Sequence, residues 1–167
     1  MIKNQKIAVW FSCGAASAVA AKLTIDYYGY TNTVHILNNP ILEEGEDNQR
    51  FLRDVSDWLK CPIKWVKSKK YPRGSVKEVW TDRKYMSGIY GAPCTLELKK
   101  KPRQEWEAEH NPDWTVLGFT AEEISRANRF KLTERDTLLT PLIDAGITKQ
   151  DCFDIINKAG IRLPDLY

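Results

Sequence analysis

The chain has 167 residues, 43% apolar and 28% charged, with 25 basic against 22 acidic side chains for a net charge of +3. That describes a single domain, 1–167, able to bury its own core, and a charge balance too even for a general nucleic-acid binder. No apolar run approaches the roughly 18 residues that span a membrane, and the N-terminus lacks a signal-peptide core, so a cytoplasmic protein is expected.

The first strong signal is 6–23, KIAVWFSCGAASAVAAKL. Ile7 to Phe11 is a short, uniformly apolar run, which reads as a strand buried on both faces. The small residues Ser12-Cys13-Gly14-Ala15-Ala16-Ser17 break it, and Ala16, Val19, Ala20 and Leu23 then recur at helical spacing. A strand, tight turn and helix in that order leave unpaired backbone N–H groups at a helix N-terminus, where an anion such as phosphate is favoured. Neither the lysine of one common phosphate loop nor the three glycines of a dinucleotide fingerprint is present.

Thr33 to Asn39 is a second strand. Its polar end, Asn38 and Asn39, lies at the carboxyl edge where ligands of open parallel sheets sit, although Asn-Asn-Pro also fits a plain turn. His35 reads as a core histidine. The next segment turns through Gly45 into a helix with Phe51, Leu52, Val55, Trp58 and Leu59 on one stripe, and its acidic start (Glu43, Glu44, Glu46, Asp47) suits the helix dipole. Ile63 to Val66 is a third strand. Two strand-helix-strand crossovers predict an α/β fold with a Rossmann-like, doubly wound, mostly parallel sheet of about five strands and helices on both faces.

From Lys67 to Gly91 the sequence is basic, aromatic and aperiodic, with a short helix expected over Val76 to Asp82. Lys69, Lys70, Arg73, Arg83 and Lys84 read either as a lid over an anion or as a solvated surface. In GAPCTLELKKKPR, Thr95 is expected to cap a helix starting at Leu96, and Pro102 to interrupt it. Lys99, Lys100, Lys101 and Arg103 make a dense site for phosphate or sulfate oxygens. Trp114 to Phe119 is a fourth strand, followed by a capping box at Thr120–Glu123 and by Arg126 and Arg129 on one helix face. Leu138 to Ile143 reads as a fifth strand or edge, and Thr148–Asp151 caps a last helix that stops at Gly160.

The Ser12–Ser17 turn resembles the PP-loop of the adenine nucleotide α-hydrolase-like superfamily, Ser-Gly-Gly-any-Asp-Ser: Ser12, Gly14 and Ser17 match, Cys13 stands for the first glycine and Ala16 for the aspartate. Lacking that aspartate, the loop looks closer to the phosphoadenosine phosphosulfate (PAPS) reductase branch. Cys94 followed by Lys99, Lys101 and Pro102, then Gly118 followed by Arg126, then Gly160-Ile161, Pro164 and Tyr167, match that branch in order. The resemblance implies an adenine nucleotide, ATP or PAPS, held by Ser12, Cys13, Gly14, Ala15, Ala16, Ser17, Asn38, Asn39, Lys99, Lys101, Gly118 and Arg126.

The same resemblance implies action on a sulfonucleotide, with Cys94 and Cys13 as the candidate catalytic thiols, or else at the α-phosphate of ATP for sulfur transfer. A nucleotide-binding module without turnover is the third reading, since the family's C-terminal cysteine tail has no counterpart here. Magnesium is an open cofactor, with Glu43, Glu44 or Asp47 as its nearest candidates. No iron–sulfur cluster is expected, because Cys13, Cys61, Cys94 and Cys152 form no Cys-x-x-Cys and Thr95 follows Cys94 where cluster-bearing members have a second cysteine. The partners expected are the nucleotide, a thiol reductant or sulfur carrier, and a second copy of the chain. Nucleic acid stays open and a membrane is not expected.

Overall fold

The computed structural model describes residues 2–89 and 91–165; Tyr167, matched above, lies outside them. Five strands, β1 (Lys6–Trp10), β2 (Thr33–Asn38), β3 (Ile63–Trp65), β4 (Trp114–Val116) and β5 (Leu138–Leu139), form one sheet in the order β3-β2-β1-β4-β5. Every neighbouring pair is parallel, with Ile7 opposite both Val34 and Trp114. This is the doubly wound arrangement expected from the alternating pattern.

The central strand carries the core because its alternate residues face opposite layers. Ile7, Val9 and Phe11 pack with Ala15, Val19 and other small residues of α1 (Ala15–Tyr28), with Phe51 and Val55 of α2 (Gly45–Leu59), and with Cys152 and Ile156 of α8 (Lys149–Lys158). Ala8 and Trp10 point the other way, with Leu37, against Trp106 of α5 (Lys101–His110). Full burial of a side chain such as Phe51 contributes about 1.5–3 kcal/mol. His35 sits in this second layer, its ring edge-on to Trp106 at 5.8 Å. Burial, with help from Lys64, lowers its pKa.

Between β3 and β4 the chain forms α3 (Val76–Arg83), with Ser75 accepting from the Glu78 N–H at its start. Then come three abutting helical segments: α4 (Pro93–Thr95), a π-helical stretch (Leu96–Lys100) and α5. This corrects two expectations. The helix begins at Pro93, so Thr95 lies inside it and caps nothing. Nor does Pro102 break it: the Lys101 N–H bonds back to the Leu96 carbonyl, a widened turn that accommodates a ring unable to donate.

After β4 follow α6 (Ile124–Thr133), the one-turn α7 (Pro141–Asp144) and α8. The fifth strand is shorter than the apolar run suggested. Pro141 cannot donate to a ladder and its fixed φ suits the first turn of a helix, so only Leu138 and Leu139 pair with β4. Both capping boxes form, Thr120 with Glu123 and Thr148 with Asp151. No helix among the described residues is long and apolar enough to cross a membrane.

Candidate functional site

The chain winds outward from β1 through β2 to β3, then crosses back to lay β4 on the other side of β1, and this reversal opens a crevice beyond the carboxyl ends of the strands. A cavity of about 580 Å³ lies there, the size of a small-molecule site.

One wall is the turn after β1. Ser17 is buried at its centre: its hydroxyl accepts from the Ser12 N–H at 3.1 Å, donates to the Gly14 carbonyl at 2.9 Å, and lies 3.2 Å from the Ser12 hydroxyl. These bonds hold the turn against the start of α1. That helix has no side-chain cap and no acidic residue in its first turn, so no side chain of that turn offsets its positive end. Cys13 has φ +58°, in the left-handed region where glycine is unstrained, which gives a backbone reason for the glycine that the resembled pattern carries at this place. The end of β4 closes tightly on the same turn. A Cβ at Gly118 would lie 2.7 Å from the Ser17 nitrogen, 2.8 Å from its Cα and 3.0 Å from the Ala16 carbonyl carbon, so only glycine fits.

Asn38 and Asn39 line the crevice from β2, and both amides are at work in the scaffold. Asn38 donates to the Phe11 carbonyl at 2.9 Å and faces the Cys13 sulfur at 3.5 Å; Asn39 donates to the Val66 carbonyl at 2.9 Å.

The opposite wall is cationic. The π-helical stretch and α5 bring Lys99, Lys100 and Arg103 to the cavity, and α6 brings Arg126 and Arg129. Carboxylates hold four of the five. Lys99 pairs with Glu44 at 3.1 Å, Lys100 with Glu134 at 3.2 Å, Arg103 also with Glu134, and Arg126 with Glu123 at 2.7 Å. Arg129 makes no ion pair among the described residues. Arg103 lies over the Phe130 ring at 5.0 Å and Arg126 over Phe119 at 5.5 Å. Burial would raise the Glu134 pKa, but the bonds from Arg103 and Lys100 outweigh it and hold the carboxyl ionised below the usual range. Phe119, Phe130, Leu117 and Trp10 add apolar surface of the kind that accepts a flat ring.

Of the residues expected at the site, Ser12, Gly14, Ala16, Ser17, Asn38, Asn39, Lys99, Gly118 and Arg126 line this one cavity. Ala15 is buried in the α1 core. Lys101 turns away from the cavity and, with Arg83, pairs with the buried carboxylate of Glu97. Cys94 packs beside Tyr71, Val79 and Leu98, outside the lining. Cys13 is buried, and its thiol is pushed up to about 12, chiefly by burial and next by Glu44, against the weaker pull of Lys99 and Asn38. A thiol protonated to that degree is the reverse of an activated nucleophile.

Of the two readings of Lys69, Lys70, Arg73, Arg83 and Lys84, the solvated surface fits better, since none of the five lines the cavity. Lys69 faces Glu109 and Glu105, Lys70 faces Asp82, and Arg83 faces Glu97. The early carboxylates have structural partners as well. Glu43 accepts from Ser75 and from the Val76 and Lys77 N–H groups at the start of α3, and Asp47 pairs with Arg50 and Arg162. Lys100 and Arg103, read from the sequence as part of a dense anion site, do reach the cavity, three residues apart as one helix face requires. Thr133 and Glu134 also line it and carry no signal in the sequence.

The chain is thus a doubly wound α/β domain with an anion-ready turn facing a cationic wall. No family model matches it, and no curated protein matches it in sequence. Among solved structures it is similar to the U34-tRNA thiolase NcsA from Methanococcus maripaludis, solved with its [4Fe-4S] cluster, at 15% identity and a TM-score of 0.62. The likeness covers 98% of this chain and 60% of that one, so the chain spans about three fifths of the thiolase's length. It shows a common fold.

One expectation is corrected by this likeness. The absence of an iron–sulfur cluster was inferred from cysteine spacing, yet the same fold holds a cluster in the thiolase, and four free thiols stand in this chain. Spacing along a chain does not decide which cysteines meet in space. Among the described residues no three His, Cys, Asp or Glu side chains are grouped to hold a metal.

Proposed function

We propose that the cavity binds an adenine nucleotide and that the protein acts at the α-phosphate of ATP, activating an acceptor for sulfur transfer. The observation that carries this reading is the convergence of Lys99, Lys100, Arg103, Arg126 and Arg129 on the uncapped start of α1 across a cavity of about 580 Å³. An acceptor oxygen attacks the α-phosphorus; the new P–O bond forms as the bond to the bridging oxygen of the β-phosphate breaks, and pyrophosphate leaves. Prealigned cations stabilise the negative charge that builds on that leaving group. A sulfur nucleophile delivered by a partner then displaces AMP from the activated acceptor.

The fold shared with a tRNA thiolase supports the sulfur-transfer reading. Sulfonucleotide reduction uses the same cavity but needs a thiolate facing it. Cys13 is buried and protonated, and Cys94 lies outside the lining, so that reading has less behind it.

Calorimetric titration with ATP, and incubations with ATP or PAPS followed for AMP, pyrophosphate, sulfite and adenosine 3′,5′-bisphosphate, test the proposal. ATP binding weakened on Arg129→Ala, with pyrophosphate as the product once an acceptor is supplied, is the expected result. Absence of ATP binding to the unaltered chain overturns the nucleotide reading, and sulfite release from PAPS overturns the choice of reaction.

A further inference from the structure

Charge in this chain is unevenly placed. Between 60 and 84 there are nine basic and two acidic side chains, whereas the whole chain has 25 and 22, so the remainder is net acidic. Six exposed cations of this segment, Lys60, Lys64, Lys67, Arg73, Lys77 and Lys84, make no ion pair among the described residues; only Lys69, Lys70 and Arg83 do. They are interleaved with aromatic surface. Trp65, at the end of the edge strand β3, is 55% exposed with the Lys67 ammonium 5.6 Å from its ring centre, and Tyr85 is 48% exposed just past α3.

The segment is rigidly tied and adjoins the cavity. Lys70 and Tyr71 both bond to Asp82, which fixes the loop to α3. At one end the Val66 carbonyl accepts from Asn39, a cavity-lining residue. At the other, Ser75, Val76 and Lys77 are held by Glu43, the neighbour of cavity-lining Glu44.

We infer that this strip docks single-stranded nucleic acid, the bases stacking on Trp65 and the phosphates on the unpaired cations, and leads the strand to the mouth of the cavity. Alternation of aromatic rings with cations on an extended path is what an unpaired strand requires, since every base has a face to stack and every nucleotide a phosphate to neutralise. A membrane surface fits less well: α3 presents the charges Lys77, Glu78, Asp82 and Arg83 to solvent and no apolar stripe to insert. The inference deepens the proposed function by naming nucleic acid as the class of acceptor, and rests on that reading only for the acceptor role; binding itself stands apart from it.

The test is fluorescence anisotropy of 5′-labelled 15-mer oligouridylate and oligothymidylate at several salt concentrations, with ATP titrated in parallel. Lys67→Gln, Arg73→Gln and Lys84→Gln combined should reduce the slope of log affinity against log salt by about 2, at about 0.7 per lost phosphate contact. Trp65→Ala should weaken binding about tenfold or more, and Trp65→Phe should restore most of it, while ATP affinity stays unchanged in all three variants. Oligonucleotide binding that is absent, insensitive to these substitutions, or weaker than binding to phosphatidylserine vesicles overturns the inference. ATP binding without oligonucleotide binding sinks this inference alone. Oligonucleotide binding without ATP binding sinks the proposed reaction and leaves the strip standing.

Discussion

Replacing Gly118 by alanine tests whether the end of β4 sets the shape of the Ser12–Ser17 turn. The added methyl would sit 2.7 Å from the Ser17 nitrogen and 2.8 Å from its Cα, and ordinary contact begins at 3.4 Å, so backbone must move by about 0.7 Å. None of the three atoms it meets is a side chain that can swing aside. A shift of that size stretches the 3.1 Å bond from the Ser12 N–H to the Ser17 hydroxyl beyond hydrogen-bonding range and loosens the turn. Overpacking of this kind costs about 1–3 kcal/mol. Urea unfolding should show a lowered midpoint with an unchanged slope, and ATP affinity should fall about tenfold because the N–H groups at the start of α1 no longer converge. A variant with the midpoint and ATP affinity of the unaltered chain would refute the reasoning.

Arg129→Ala should weaken ATP binding about 10- to 100-fold, the loss of a charge-assisted bond, with no change in melting temperature, since Arg129 has no ion pair among the described residues to lose; a comparable fall in both would mark it as structural instead. Glu97→Gln neutralises the carboxylate, 1% exposed, that pairs with Lys101 and Arg83, and should destabilise the chain by about 1–2 kcal/mol at neutral pH, less than for a fully buried pair because both cations reach water. Burial would raise the Glu97 pKa, but Lys101 and Arg83 together lower it. Its contribution is therefore present above the usual glutamate value of 4.5 and lost as pH falls through the lowered one, and the gap between variant and unaltered chain should close on acidification. Native-state alkylation at pH 8 followed by mass spectrometry should leave Cys13 and Cys152, with thiols raised to about 12 and about 11, unlabelled while Cys94 reacts; early labelling of Cys13 would restore it as a nucleophile.

The architecture was legible because β1, α1 and β2 obey local rules: an uninterrupted apolar run, a cluster of small residues, a helical repeat and a strand ending in Asn38. The same rules place the turn and both asparagines at one edge of the sheet. They say little about which face of 93–110 looks inward. Lys99, Lys100 and Lys101 are consecutive and chemically alike, yet two line the cavity and one serves Glu97, a choice made by the packing of Leu98 and Trp106 on separate clusters. Glu134 was unreadable for a different reason, since its role depends on Arg103 and Lys100 more than thirty residues earlier meeting it in space. Gly118 was noticed as the end of a strand, but the need for glycine there comes from a backbone one hundred residues away.

The π-helical stretch at Leu96–Lys100 can also be viewed as a phase-setting insertion. A π turn takes about one residue more than the α turn it replaces, and each residue of an α-helix advances the side-chain direction by about 100°. Before it Cys94, and within it Leu98, are committed to the cluster with Tyr71 and Val79; downstream Trp106 is committed to Trp10, and Glu107 accepts from the Trp10 and Thr115 side chains. Deleting one residue between 96 and 100 would put both halves on a single α ladder, about 100° out of step. The chain could then bury Leu98 or Trp106 in its native place, but not both. A one-residue deletion here should thus harm the fold more than any single substitution in the same stretch, which makes the length of the basic run, as much as its charge, the property that aims Lys99 and Arg103 at a common target.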